Sequence, residues 1–292
     1  VLKRNFRLDR SVEWNPLEHS CTLEDLQILE GQQVVYSISH RGFDIRVFAF
    51  LRPASRRLTV FGQDAIRPGN TVLPLFHRWS WYTRLEGSML VFNDPTLLIH
   101  PRIGCGWSQG RSDAFAVDAT ADVVRRFGEL LGIAAGDALL FGTSAGGFWA
   151  LMAGAALASR QVVVDIPQVD LFSYPDRSAR EAMFNACYPG LDETQLRRSF
   201  PDRLRVVDRF RALGRAPRNV LYCQNLRDVK HVRTQMKPFR SEIELLQPLC
   251  NGKAPDVRFR FYDREGEGGR GHIQMEAEPT IEILNECLEL AA

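Results

Sequence analysis

The sequence predicts an α/β fold: a mostly parallel central sheet covered by helices on both faces, with a helical insertion above it. Two observations carry this expectation. Short apolar runs ending in Gly, Asp or Asn alternate with helical stretches along most of the chain, the pattern of parallel strands joined by crossover helices. One run, Ala138–Phe141, leads straight into Gly142-Thr143-Ser144-Ala145-Gly146-Gly147 and then into an apolar helix, Phe148–Ala158. That is a strand–turn–helix with a serine at the turn.

The elements follow in chain order. Residues 1–30 show no clear period and read as an N-terminal extension, with a short helix over Ser20–Leu29. Val34–Ser39 and Phe43–Phe50 alternate apolar and polar residues around His40-Arg41-Gly42, a hairpin signal. Arg57–Phe61 is a buried strand ending at Gly62-Gln63-Asp64; Ser88–Phe92 is another, ending at Asn93-Asp94-Pro95. Pro101–Gly110 holds too many glycines for a helix or strand interior and reads as a loop lining a pocket. Ala114–Leu131 places its apolar residues at three- and four-residue steps, a helix stopped by Gly132. After the central helix come a strand at Gln161–Ile166 and a cap-like insertion at 171–216. A strand at Asn219–Gln224, a helix at Val232–Leu246, a strand at Val257–Tyr262 and a closing helix at Pro279–Leu290 complete the chain. Residues 31–292 therefore read as one domain carrying the cap.

Composition narrows the function classes. In 292 residues, 37 basic side chains balance 35 acidic ones, giving +2, which argues against a nucleic-acid partner. Six scattered cysteines show no C-x-x-C pair and no metal-ligand spacing, so neither a disulfide scaffold nor a metal is expected. With no apolar run long enough to span a bilayer and no signal peptide in view, the expectation is a soluble, cytoplasmic protein. The segment from Arg197 to Arg218 is strongly basic. It reads either as a solvated helix face or as a rim attracting an anionic substrate or donor.

The turn at Ser144 carries the chemistry. A Gly-x-Ser-x-Gly sequence between strand and helix forces the serine into a strained conformation with Oγ projecting from the sheet. Side chains at Gly142 and Gly146 would collide across such a turn, and the Ala145 N–H faces the place where an oxyanion would form. A serine hydroxyl is a poor nucleophile without an imidazole to take its proton and a carboxylate to fix that imidazole. Of six histidines only His231 and His272 follow the serine. His272 lies after the last strand in a glycine-rich loop, and Asp228 lies after the preceding strand. Both sit at C-terminal strand ends, where ligands bind open α/β sheets. The expected set is Ser144 as nucleophile, His272 as base and acid, and Asp228 as orienter. Asp263 is the rival acid and His231 the rival base, while Cys105 offers an alternative nucleophile only with a lowered pKa.

On these residues the chain resembles the α/β-hydrolase superfamily, over roughly residues 33–290. The resemblance implies an acyl-serine intermediate and the chain order Ser, Asp, His. It also implies a second oxyanion N–H from the loop after the third strand, here Gln63. A narrower likeness rests on Asn93-Asp94-Pro95-Thr96, Gly106-Trp107, Gly142 to Phe148, Pro167-Gln168, and Gln224-Asn225 through Asp228 to His231. These resemble a bacterial group of O-acetyltransferases and esterases tied to surface-glycan loci. The likeness implies a serine esterase acting on O-acyl groups of a carbohydrate, or a transferase using a donor such as acetyl-CoA. A non-catalytic member that binds a glycan or a partner is the remaining reading. Trp107, Phe172 and Tyr174, with Trp79 and Trp81, are then candidate sugar-stacking walls, or else core.

Overall fold

The computed structural model describes residues 12–246 and 255–290. Nine strands form one sheet: β1 (Leu17–Thr22), β2 (Gln33–His40), β3 (Phe43–Phe50), β4 (Leu58–Phe61), β5 (Ser88–Phe92), β6 (Leu139–Thr143), β7 (Gln161–Asp165), β8 (Asn219–Asn225) and β9 (Asp256–Tyr262). Their order is β1-β2-β3-β5-β4-β6-β7-β8-β9. β3 pairs antiparallel with β2 and β5, and every other neighbouring pair is parallel. The central strands β4, β5 and β6 are buried along their whole length, which is why they read as continuous apolar runs rather than alternating ones.

Two apolar layers flank the sheet. On one face lie α1 (Ala116–Leu131) and α2 (Ala145–Leu157), with side chains such as Val124, Phe127, Phe148 and Leu151 buried. Every residue of α2 is buried, so it is hydrophobic all round and shows no helical stripe. The other face is closed by a 3-10 turn at Trp79–Thr83 and by α8 (Ala277–Leu290), which contribute Trp79, Trp81, Ile281 and Leu284. Between β7 and β8 the chain inserts three helices, α3 (Arg177–Cys187), α4 (Glu193–Ser199) and α5 (Val206–Leu213). After β8, α6 (Val229–His231) passes through a π turn at Val232–Met236 into α7 (Lys237–Glu244). No described helix is long and apolar enough to cross a membrane.

Several elements differ from the sequence expectation. Ser20–Leu29 is not a helix: Leu17–Thr22 is an edge strand, exposed or half-buried throughout, so no apolar period announced it. The basic run divides: Arg197, Arg198, Arg211, Arg215 and Arg218 are exposed, whereas Arg203, Arg205 and Arg209 turn inward. Arg209 is buried and ion-paired to Asp118 of α1 and to Asp202. Arg205 meets Asp170, Asp208 and Glu242, and Arg203 donates to the carbonyls of Arg111 and Ser112. These arginines bind the insertion to the body. Cys250 lies outside the described residues.

Candidate active site

The turn between β6 and α2 is as tight as its glycines imply. A Cβ on Gly142 would sit 2.0 Å from the Gly146 carbonyl oxygen, and one on Gly146 would sit 2.8 Å from the Gly62 carbonyl oxygen. Ser144 is held at φ 53°, ψ −115°, a conformation that a non-glycine residue keeps only when its surroundings impose it. Its N–H donates to the Asp165 carbonyl at 3.0 Å, and its own carbonyl accepts from Gly147 and Phe148. The Gly62-Gln63 backbone rests against Gly146. Gln63 and Ala145 are thus brought together at the start of α2, both buried. The Gln63 side chain points away, to the Asp64 carbonyl and His77 Nδ1.

His272 reaches the serine because its loop is fastened to the end of β8. Gly271 passes so close that a Cβ there would lie 2.1 Å from the Arg227 carbonyl oxygen. Asn225 donates to the carbonyls of Arg264, Gly271 and Ile273. The Met275 N–H donates to buried Asp165 at 2.7 Å, and the Tyr262 hydroxyl lies 2.8 Å from the same carboxyl. With the loop so held, His272 Nε2 lies 3.0 Å from Ser144 Oγ and His272 Nδ1 lies 2.5 Å from Asp228 Oδ2.

Asp228 serves two imidazoles. Its other oxygen, Oδ1, is 3.0 Å from His231 Nδ1, and the two histidine rings stack with centroids 4.1 Å apart. Burial by itself would raise the Asp228 carboxyl, but the hydrogen bonds from His231 and His272 outweigh it and hold it well below the usual range. Burial lowers His231 in turn, and the neighbouring His272 adds to that. Asp228, His231 and His272 are also the one cluster among the described residues with the donor set of a metal site. Their Nδ1 atoms and carboxylate oxygens are already bonded to one another.

Sequence reasoning passed over Gln168 as a site residue, although Pro167-Gln168 stood in the narrower likeness. The side chain is wholly buried. Its Nε2 lies 2.9 Å from Ser144 Oγ and 3.3 Å from His231 Nε2, and its Oε1 accepts the Trp107 indole N–H at 3.1 Å. Trp107 is held by a loop whose anchor is Asp94, which accepts from Thr96 N and Ser108 N. The Asn93-Asp94-Pro95-Thr96 and Gly106-Trp107 motifs therefore end at Gln168.

The remaining candidates separate. Asp263 lies on the surface, paired with Arg227. His231 stacks beside His272, and its Nε2 faces Gln168 rather than Ser144. Cys105 is buried, which pushes its thiol up to about 12 and leaves no thiolate near neutral pH. Trp107 is 1% exposed and Phe172 is 7% exposed with Arg197 over its ring, so neither presents a free face to a sugar. Trp79 and Trp81 are likewise core. Of the predicted walls, Trp81 borders a cleft beside Asp165 and Met275, and Tyr174 borders a larger one. Tyr174 lines this larger cleft, of about 690 Å³, between Ala65–Pro68, His100–Cys105 and α3. Its ring meets those of Trp107 and His231 edge-on.

No protein-family profile and no curated protein sequence matches the chain. Solved structures do. The chain is similar to the capsule O-acetyltransferase of Neisseria meningitidis serogroup A, at 13% identity over 86% of this chain and 95% of that one, with a TM-score of 0.59. It is similar to Thermogutta terrifontis esterase 2, at 13% identity over 88% and 94%, TM-score 0.53. Carboxyl esterase 2 of the fungus Tuber melanosporum matches at 13% over 94% and 92%, TM-score 0.53. The fold is the α/β-hydrolase fold.

Proposed function

We propose that the protein is a serine-dependent acyl-ester hydrolase that works through an acyl-serine on O-acyl groups of a carbohydrate. The observation that carries this reading is the continuous chain from Ser144 Oγ through His272 to Asp228. Ser144 attacks the ester carbonyl while His272 Nε2 takes its proton, and the N–H groups of Ala145 and Gln63 hold the oxyanion. His272 returns the proton to the leaving oxygen, then activates the acceptor for the second half-reaction. Asp228, ionised by its two imidazole partners, keeps His272 in the tautomer with Nε2 free. The cleft beside Tyr174 takes the bulk of the substrate. A fluorophosphonate probe is expected to label Ser144, and Ser144→Ala to abolish labelling with the thermal melt unchanged. Labelling that survives the substitution rejects the reading.

Transfer to a sugar hydroxyl is the second reading, favoured by the similarity to a capsule O-acetyltransferase, a variant of which was solved in complex with CoA (12% identity, TM-score 0.60). Acetyl-CoA would be the donor. A burst with an activated acetyl ester, followed by turnover that an oligosaccharide acceptor accelerates, supports transfer. Fast hydrolysis indifferent to acceptor supports the esterase.

A further inference from the structure

Two nitrogens meet at Ser144 Oγ, one to accept its proton and one to donate to it. The proton of the serine is directed at His272 Nε2, 3.0 Å away, and Gln168 Nε2 approaches to 2.9 Å. The amide oxygen is 3.3 Å from the same hydroxyl, so the orientation of the amide decides the chemistry. It is fixed at both ends. Trp107 Nε1–H can only donate, so the atom facing it is the amide oxygen. His231 gives its Nδ1–H to the Asp228 carboxylate, which leaves Nε2 as a lone pair facing the amide nitrogen. A flipped amide would set donor against donor at Trp107 and acceptor against acceptor at His231. The bonds therefore close a ring whose two arms both run from Gln168 to Asp228. Gln168 donates to Ser144 and to His231, Ser144 donates to His272, and both imidazoles donate to Asp228.

We infer that Gln168 is a catalytic residue that stabilises the serine oxygen as it leaves the acyl-enzyme. The inference rests on the acyl-serine reading above. In acylation the Oγ–H proton passes to His272, the Oγ–acyl bond forms, the ester C–O bond breaks, and the departing oxygen takes the proton back. In deacylation the acceptor's proton passes to His272, its oxygen bonds the acyl carbon, the Oγ–acyl bond breaks, and Oγ receives the proton. Gln168 gives up no proton in either step. An ester oxygen is a weak acceptor, while Oγ gains charge as its bond to carbon breaks, so the bond from Gln168 strengthens on the way to the transition state. Attack by the free serine gains less, because Gln168 already donates to the neutral hydroxyl before the step begins. Burial of Gln168, and the loop that holds Trp107, keep the donor aimed without rearrangement.

Stopped-flow kinetics with p-nitrophenyl acetate test this, reading acylation from the burst and deacylation from the steady state. Gln168→Met keeps the volume and removes the donor. It is expected to slow deacylation about 10- to 100-fold while acylation falls several-fold at most, so that acetyl-Ser144 accumulates and is visible by mass spectrometry. Trp107→Phe, which frees the amide to turn, is expected to shift the same ratio in the same direction by less. In Gln168→Glu the carboxylate cannot donate to Oγ but its protonated form can, so its deacylation rate relative to wild type should rise as pH falls. A purely structural role would not give that profile. Deacylation unchanged in Gln168→Met, or both steps slowed alike, overturns the inference. Absence of any acyl-Ser144 in the wild-type protein would instead refute the acyl-serine reading.

Discussion

Two buried carboxyls stand at the ends of neighbouring strands, Asp228 after β8 and Asp165 at the end of β7, and they are shifted in opposite directions. Both are almost fully covered by protein. Burial pushes Asp165 up to about 6, against hydrogen bonds from the Met275 N–H and the Tyr262 hydroxyl. At Asp228 the donors are two imidazoles, and their hydrogen bonds and charge overcome the same penalty. The difference lies in the donors. A backbone amide and a phenol bring only dipoles, whereas an imidazole can become a cation and then favours the ionised carboxylate by Coulomb attraction as well. One carboxyl is equipped to support a charge that comes and goes on His272. The other is a tie that holds the His272 loop in place.

Breaking the first of these should have the largest effect. Asp228→Asn cannot accept from both imidazoles, so it disturbs both tautomers at once. Its kcat is expected to fall by about 10⁴, measured with the same acetyl ester. Asp263→Asn should leave kcat within about twofold, since that side chain meets Arg227 at the surface. Equal losses in the two variants would remove the distinction between orienter and surface acid. His231→Phe preserves a ring to stack on His272 but removes one bond to Asp228 and one to Gln168. A loss of about tenfold is expected, with the larger share in deacylation.

Asp165→Asn should also have a small effect on rate, within about threefold, and act mainly on stability. The folded carboxyl titrates near 6, above its ordinary value of 3.8, so folding takes up a proton between those values. Its contribution to stability is present below about pH 4 and lost as pH rises through about 6. The asparagine variant should therefore melt at or above wild type near pH 7, by up to about 3 kcal/mol, and show a flatter profile between pH 4 and 7. A variant less stable than wild type at pH 7 and equal to it at pH 4 would mean that Asp165 is ionised and helpful in the native state.

The site was half legible in the sequence. The elbow could be read because its chemistry is local: glycine, serine and glycine within five residues, between an apolar run and an apolar helix. Asp228 and His272 were found by position, since a parallel sheet brings all its C-terminal strand ends to one edge. Gln168 was not, because its meaning comes from Trp107, 61 residues earlier, and His231, 63 residues later. A glutamine after a strand has no local signal of that role. The aromatic segments misled for a related reason. Density of Trp and Phe indicates that surface will be buried, without saying whether protein or ligand covers it. The strand Leu17–Thr22 escaped because every residue in it is exposed or half-buried, which leaves no apolar stripe to read.

Arg209 bears on how molecules reach the serine. It lies inside the insertion, with one arm on Asp118 of α1 and the other on Asp202 beside its own helix. Lifting the insertion as a lid would carry Asp202 along but pull the buried guanidinium away from Asp118. The insertion is thus riveted rather than hinged. On the proposed function, substrate would then enter by the cleft beside Tyr174 at α3, and the width of that cleft would select what is admitted.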